Sequence, residues 1–90
     1  MKKNVHVKIS GRVQGVWFRA STKQKADMLG IKGWVKNTLD GCVETIFEGD
    51  EKLVDEMIDW CHHGPPLSKV KTVDVKIQDI VNFDSFEIKH

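Results

Sequence analysis

Arginine is scarce in this 90-residue chain: twelve of its fourteen cationic side chains are lysine, and the two arginines, Arg12 and Arg19, stand seven residues apart. Both fall in the segment Gly11-Arg12-Val13-Gln14-Gly15-Val16-Trp17-Phe18-Arg19. A loop punctuated by glycines can turn several backbone N–H groups toward one point. A helix starting directly after it adds unpaired amides and the positive end of its dipole. Arg19 falls in the first turn of such a helix, where a planar guanidinium can grip two phosphate oxygens at once. A cation there is unfavourable by a few tenths of a kcal/mol, a penalty that a bound dianion reverses. On spacing alone, a tight turn followed by an exposed helical arginine accounts for the segment equally well. The loop lacks the Gly-Lys-Ser/Thr ending of a nucleotide P-loop. Six residues before Arg19, where a cysteine-based phosphatase carries its nucleophile, stands Val13. Any attack in this loop therefore falls to water.

Asn37 is the second residue whose type and place could do chemistry. By strand parity it shares a face with Ile31, Gly33 and Val35, the expected core face. An amide left unsatisfied there costs about 1–3 kcal/mol. It either opens the following turn by bonding the backbone at Thr38–Asp40 or positions a water molecule, and the local sequence favours the turn.

The elements that must carry these residues follow from periodicity. Val5, Val7 and Ile9 alternate with His6, Lys8 and Ser10, as in a strand with one buried face. From Phe18 the period becomes helical, with Phe18, Thr22, Ala26 and Leu29 on one stripe and Gly30 as the stop. A second strand is expected over about Ile31 to Asn37, a turn at Thr38-Leu39-Asp40-Gly41, and a third strand from Cys42 to Glu48. Asp50 then caps a second helix with apolar stripe Leu53, Val54, Met57, Ile58 and Cys61, ended by Gly64-Pro65-Pro66. Val73, Val75 and Ile77 alternate in a fourth strand, and Phe86 and Ile88 mark a short terminal one. The order β-α-β-β-α-β plus a terminal strand predicts an α+β sandwich, two helices on one face of a mainly antiparallel sheet.

Three runs, GRVQGVWFR, KGWVKNTLDGCVE and GPPLSKVKTVDV, resemble the acylphosphatase family, small enzymes that hydrolyse carboxyl-phosphate mixed anhydrides. The likeness extends from Val5 to Ile88, and its first motif, G-x-V-Q-G-V-x-F-R, is long and specific; Trp17 occupies a variable position in it. The resemblance implies a single domain over residues 1–90 with the ferredoxin-like α/β sandwich of that family. It implies that Arg19 binds the substrate phosphoryl group and that Asn37 orients the attacking water. It further implies that Arg12, Val13, Gln14, Gly15, Val16, Trp17 and Phe18 offer backbone amides to the phosphate. A carboxylate is a good leaving group, so no strong general acid, metal, cofactor or covalent intermediate is expected, and the partners are a small acyl phosphate and inorganic phosphate.

Other features carry less. Fourteen Lys plus Arg against thirteen Asp plus Glu leave a formal charge of +1, which argues against a general nucleic-acid or membrane-surface binder. An RNA-recognition domain shares the element order but needs aromatics on its central strands, where this chain has Val5, Val7, Ile9, Val43, Thr45 and Phe47. A carrier or maturation module built on the same domain is the other rival, although such modules come with further domains. Cys42 and Cys61 lie nineteen residues apart without CxxC spacing and are expected as reduced thiols. The adjacent Cys61-His62-His63 is not a ligand set, so no metal site is expected. His6 is expected on a solvent face, Trp34 and Trp60 in packing roles, and Trp17 as a shield of the loop mouth or a substrate contact. Lys23, Lys25, Lys32 and Lys36 are expected as solvated surface. No signal-peptide core and no run near the ~18 apolar residues of a membrane span occurs, so a cytoplasmic monomer is expected.

Overall fold

The computed structural model describes all 90 residues. Strand β1 (Lys2–Arg12) leads through the loop to helix α1 (Phe18–Leu29). Strands β2 (Lys32–Asn37) and β3 (Val43–Asp50), helix α2 (Glu51–Cys61), strand β4 (Lys69–Gln78) and strand β5 (Phe86–Ile88) follow. The five strands form one sheet in the order β4-β1-β3-β2-β5. All neighbours are antiparallel except β2 and β5, which run parallel with Gly33 opposite Phe86.

Alternation decides what the sheet buries. Val5, Val7 and Ile9 of β1 and Val43, Thr45 and Phe47 of β3 lose all solvent contact beneath the helices. Phe18, Thr22 and Ala26 are the buried stripe of α1, and Val54, Met57 and Cys61 that of α2. At the floor of this core Phe47 and Phe86 stack with centroids 6.1 Å apart, and Phe18 meets Trp60 at 5.4 Å. Helix α1 ends where Gly30 turns left-handed (φ 70°). Asp50 caps α2, its carboxylate accepting from the Lys52 amide at 3.2 Å. The sheet demands glycine at Gly33, where φ is 135° and a Cβ would collide with the Ile46 carbonyl oxygen, and at Gly11 of β1, where φ is 119° and a Cβ would collide with the Lys69 carbonyl oxygen.

One expectation changes in the structure, and one strand shows an exposure that its pattern leaves open. The first strand does not stop at the glycine; a bulge between Ser10 and Gly11 lets it continue to Arg12, paired with Lys69. The period-2 pattern of β4 correctly marks a strand, yet Val75 and Ile77 stand 40% and 76% exposed. The cause is position: α2 packs over β1 and β3, α1 over β2 and β5, and β4 lies beyond them at the edge.

Because β4 and β5 occupy opposite edges, the connection between them must pass from one side of the sheet to the other. Glu48 holds it. This fully buried carboxylate accepts from the amides of Val81 (2.7 Å) and Phe83 (2.8 Å) and from Asn4 Nδ2 (2.9 Å). Burial opposes its ionisation, but the three hydrogen bonds outweigh that effect and hold its pKa below the usual glutamate value.

Candidate active site

The loop joining β1 to α1 bends by means of two left-handed residues, Gly15 (φ 73°) and Trp17 (φ 68°). Glycine accepts that geometry freely, whereas a bulky aromatic adopts it only under constraint. Val13 and Val16 point into the core and anchor the loop, while Gly15 and Trp17 remain exposed. None of the N–H groups from Val13 to Ala20 donates to a backbone carbonyl. The segment therefore presents a continuous run of free donors that leads into the N-terminus of α1, the arrangement anions favour.

Gln14 fixes where this run sits. Its side-chain amide donates to the carbonyls of both Thr38 and Cys42, each at 2.8 Å. Those residues flank the β2–β3 turn, directly after Asn37. The turn is closed by Thr38, whose hydroxyl oxygen accepts from the Cys42 amide at 3.0 Å and whose own amide donates to the Cys42 carbonyl at 2.9 Å. Asn37 is not needed there: its Oδ1 is enclosed and has no hydrogen-bond partner within the protein. The turn-opening role favoured by local sequence thus passes to Thr38, and Asn37 is left with an unused acceptor.

Arg19 and Asn37 line one cavity of about 310 Å³. The loop supplies Val13, Gly15, Trp17 and Phe18 to its wall, α1 adds Ala20, and the β5 end adds Ile88 and His90. Of the loop residues expected at the site, Arg12 lies in β1, Gln14 works through its side chain as a tie, and Val16 is a core anchor. The cavity is lined by none of these three. Arg19 takes part in no ion pair, so its guanidinium is not neutralised by a neighbouring carboxylate.

The remaining charged and aromatic residues are engaged elsewhere. Lys23 bonds Asp27 and the Phe86 carbonyl, Lys25 approaches Glu56 at 3.8 Å, and Lys36 pairs with Glu44 at 3.4 Å and sits over the Trp34 ring. His6 meets Glu44 at 2.6 Å on the face opposite the helices. That contact, more than Lys36, holds the Glu44 pKa down. Cys42 and Cys61 are free thiols, and burial in the α2 stripe pushes the Cys61 pKa up to about 12. His62 and His63 lie exposed just past that helix, whereas the adjacent Cys61 is buried.

Gln14, Ile88 and His90 are the site components that local sequence reading missed in their actual roles. The polar Gln14 between apolar Val13 and Val16 is a signal in retrospect, since a loop amide flanked by two anchors is drawn inward.

Fold and site together define an α+β sandwich with a glycine-bent, amide-rich loop that shares a cavity with an unpaired arginine and an unpartnered asparagine. The acylphosphatase family model matches residues 5–88. The chain belongs to the acylphosphatase family and is an enzyme of that hydrolase class. It is 54% identical over 74 residues to an acylphosphatase from Rubrobacter xylanophilus, an alignment covering 82% of this chain and 67% of that one. The crystal structure of acylphosphatase from Bacillus subtilis superposes with a TM-score of 0.94 at 34% identity, covering both chains completely. The fold also matches a part of full-length HypF in its phosphate- and nucleotide-bound form, with TM-score 0.89 and 25% identity. That match covers all of this chain and 12% of the HypF chain.

Proposed function

We propose that this chain hydrolyses acyl phosphates, the mixed anhydrides of carboxylic and phosphoric acids, to a carboxylate and inorganic phosphate. The observation that carries the reading is the shared cavity of Arg19 and Asn37, one side chain cationic and unpaired, the other with an enclosed, unused acceptor. In this mechanism Arg19 and the free amides of the loop over residues 13–18 hold the phosphoryl oxygens and stabilise the charge on them in the transition state. Asn37 Oδ1 accepts a hydrogen bond from a water molecule and aims its oxygen at phosphorus opposite the leaving group. The new bond joins water oxygen to phosphorus, and the bond from phosphorus to the acyl oxygen breaks. The carboxylate departs with the electron pair, and the water proton passes to the phosphate product or to solvent.

A carboxylate leaves readily without general acid catalysis, and the guanidinium and amides supply the charge stabilisation. The reaction so written calls on neither a metal ion nor a phosphorylated enzyme. The site draws every residue from one chain, which suits a monomer acting on a small molecule. The near-neutral composition is not that of a general nucleic-acid binder, and the two free thiols suit a reducing, cytoplasmic setting. No helix is long and apolar enough to cross a membrane.

Hydrolysis of benzoyl phosphate in heavy-oxygen water tests the proposal. Label in inorganic phosphate and none in benzoate is the expected result; label in benzoate contradicts attack at phosphorus.

A further inference from the structure

The cavity is larger than its phosphate-binding end requires. About 300 Å³ is the lower end of the range that accommodates small organic ligands, and besides Arg19, Asn37 and Gly15 the cavity is walled by Val13, Trp17, Phe18, Ala20, Ile88 and His90. Trp17 is the unusual member. It is 75% exposed and belongs to neither of the aromatic pairs, Phe18–Trp60 and Phe47–Phe86. No lysine sits over its ring; Lys36 and Lys89 both lie over Trp34. The backbone nevertheless holds Trp17 at φ 68°, a conformation that is unfavourable for a bulky side chain and that clusters at functional sites. A large apolar ring that fills no core and is held at a strained position on a cavity wall has its free face available to a ligand.

We infer that Trp17, with Ile88, forms the acyl subsite, so that the indole ring sets how strongly this chain discriminates between aryl and short aliphatic acyl groups. The inference rests on the hydrolytic reading of the same cavity. With the phosphoryl group at Arg19, the acyl carbon lies on the far side of the scissile bond from the attacking water. A planar aryl group there stacks in offset fashion on the indole and covers the Ile88 methyls, gains that an acetyl group is too small to make. Such stacking is worth up to about tenfold in kcat/KM.

The test compares benzoyl phosphate with acetyl phosphate on the wild type, Trp17→Gly and Trp17→Phe. Glycine suits the left-handed backbone, so the variant is expected to fold. Disturbance of the phosphate cradle falls equally on both substrates and cancels in the ratio of their kcat/KM values. That ratio should fall several-fold, up to about tenfold, in Trp17→Gly and recover in Trp17→Phe. An unchanged ratio in Trp17→Gly overturns the subsite. Calorimetric titration with phenylphosphonate and methylphosphonate provides the same comparison without turnover: a phenyl preference lost in Trp17→Gly supports the subsite, and equal affinities refute it. If neither acyl phosphate is hydrolysed, the hydrolytic reading fails by itself, and the phosphonate ratio still decides the subsite.

Discussion

The side-chain amide of Gln14 donates at 2.8 Å to the carbonyl of Thr38, and so fastens the β1–α1 loop to the residue that follows Asn37. The two halves of the site come from separate elements, and in the proposed mechanism one holds the phosphoryl group and the other the water. Their spacing rests on this bond and its companion to Cys42. In-line attack tolerates little error in that spacing, because misplacement by about 1 Å can cost on the order of a hundredfold in rate.

Gln14→Ala should therefore lower kcat by roughly ten- to a hundredfold. It should also cost about 1–2 kcal/mol of stability, since two hydrogen bonds are lost while each carbonyl keeps a backbone donor, Gly41 for Thr38 and Thr38 for Cys42. Urea unfolding and steady-state kinetics on the same preparation separate the two effects. Unchanged turnover would remove Gln14 from the positioning of the site.

Asn37→Ala is expected to retain inorganic phosphate affinity and lose kcat, because the water-orienting acceptor acts only on the reacting water. Its Oδ1 has no protein partner to lose. Stability should therefore change little, by less than about 1 kcal/mol. A variant with near wild-type turnover contradicts the role given to Asn37.

Neither a guanidinium nor an amide exchanges a proton between about pH 5 and 8, so kcat should be nearly flat there. His90 is the one imidazole that lines the cavity. A bell-shaped profile in that range, flattened by His90→Gln, would contradict a mechanism carried by Arg19 and Asn37 alone.

Glu48 links the fold to pH. Its folded-state pKa is depressed, so its contribution to stability is present above the unfolded glutamate value of about 4.3 and is lost as pH falls through the folded value. Glu48→Gln should cost about 2–3 kcal/mol at pH 7, because an uncharged amide replaces an acceptor of three hydrogen bonds. Its stability should also depend less steeply on pH below about 4 than that of the wild type. Since Glu48 holds the segment leading to Ile88 and His90, the variant should raise KM as well. Urea midpoints at pH 7 and pH 3 check the first two outcomes, and parallel acid sensitivity of wild type and variant would exclude Glu48 as the latch.

Much of the fold was legible in sequence because its determinants are local. The stripe Phe18, Thr22, Ala26 and Leu29 with Gly30 behind it marks helix α1 residue by residue, and Asp50 marks the start of α2. What the sequence hides is non-local. Period-2 alternation identifies Val75 and Ile77 as one strand face but cannot tell that no helix reaches them. Glu48 reads as the last residue of a strand, whereas its burial follows from two amides more than thirty positions away. At the site, Arg19 and Asn37 stood out by residue type and motif. The tie from Gln14 and the wall from Ile88 and His90 exist only once β5 is docked beside β2.

The central claim is that Arg19 holds the phosphoryl group of an acyl phosphate while water attacks it. The most direct measurement is benzoyl phosphate hydrolysis by wild type and by Arg19→Ala, with inorganic phosphate binding followed in both. The account predicts clear wild-type turnover, a loss of ~10³-fold or more in the variant by analogy with other arginine clamps, and loss of phosphate affinity with it. Wild-type activity at background, or an Arg19→Ala variant that still turns over and binds phosphate, would contradict it.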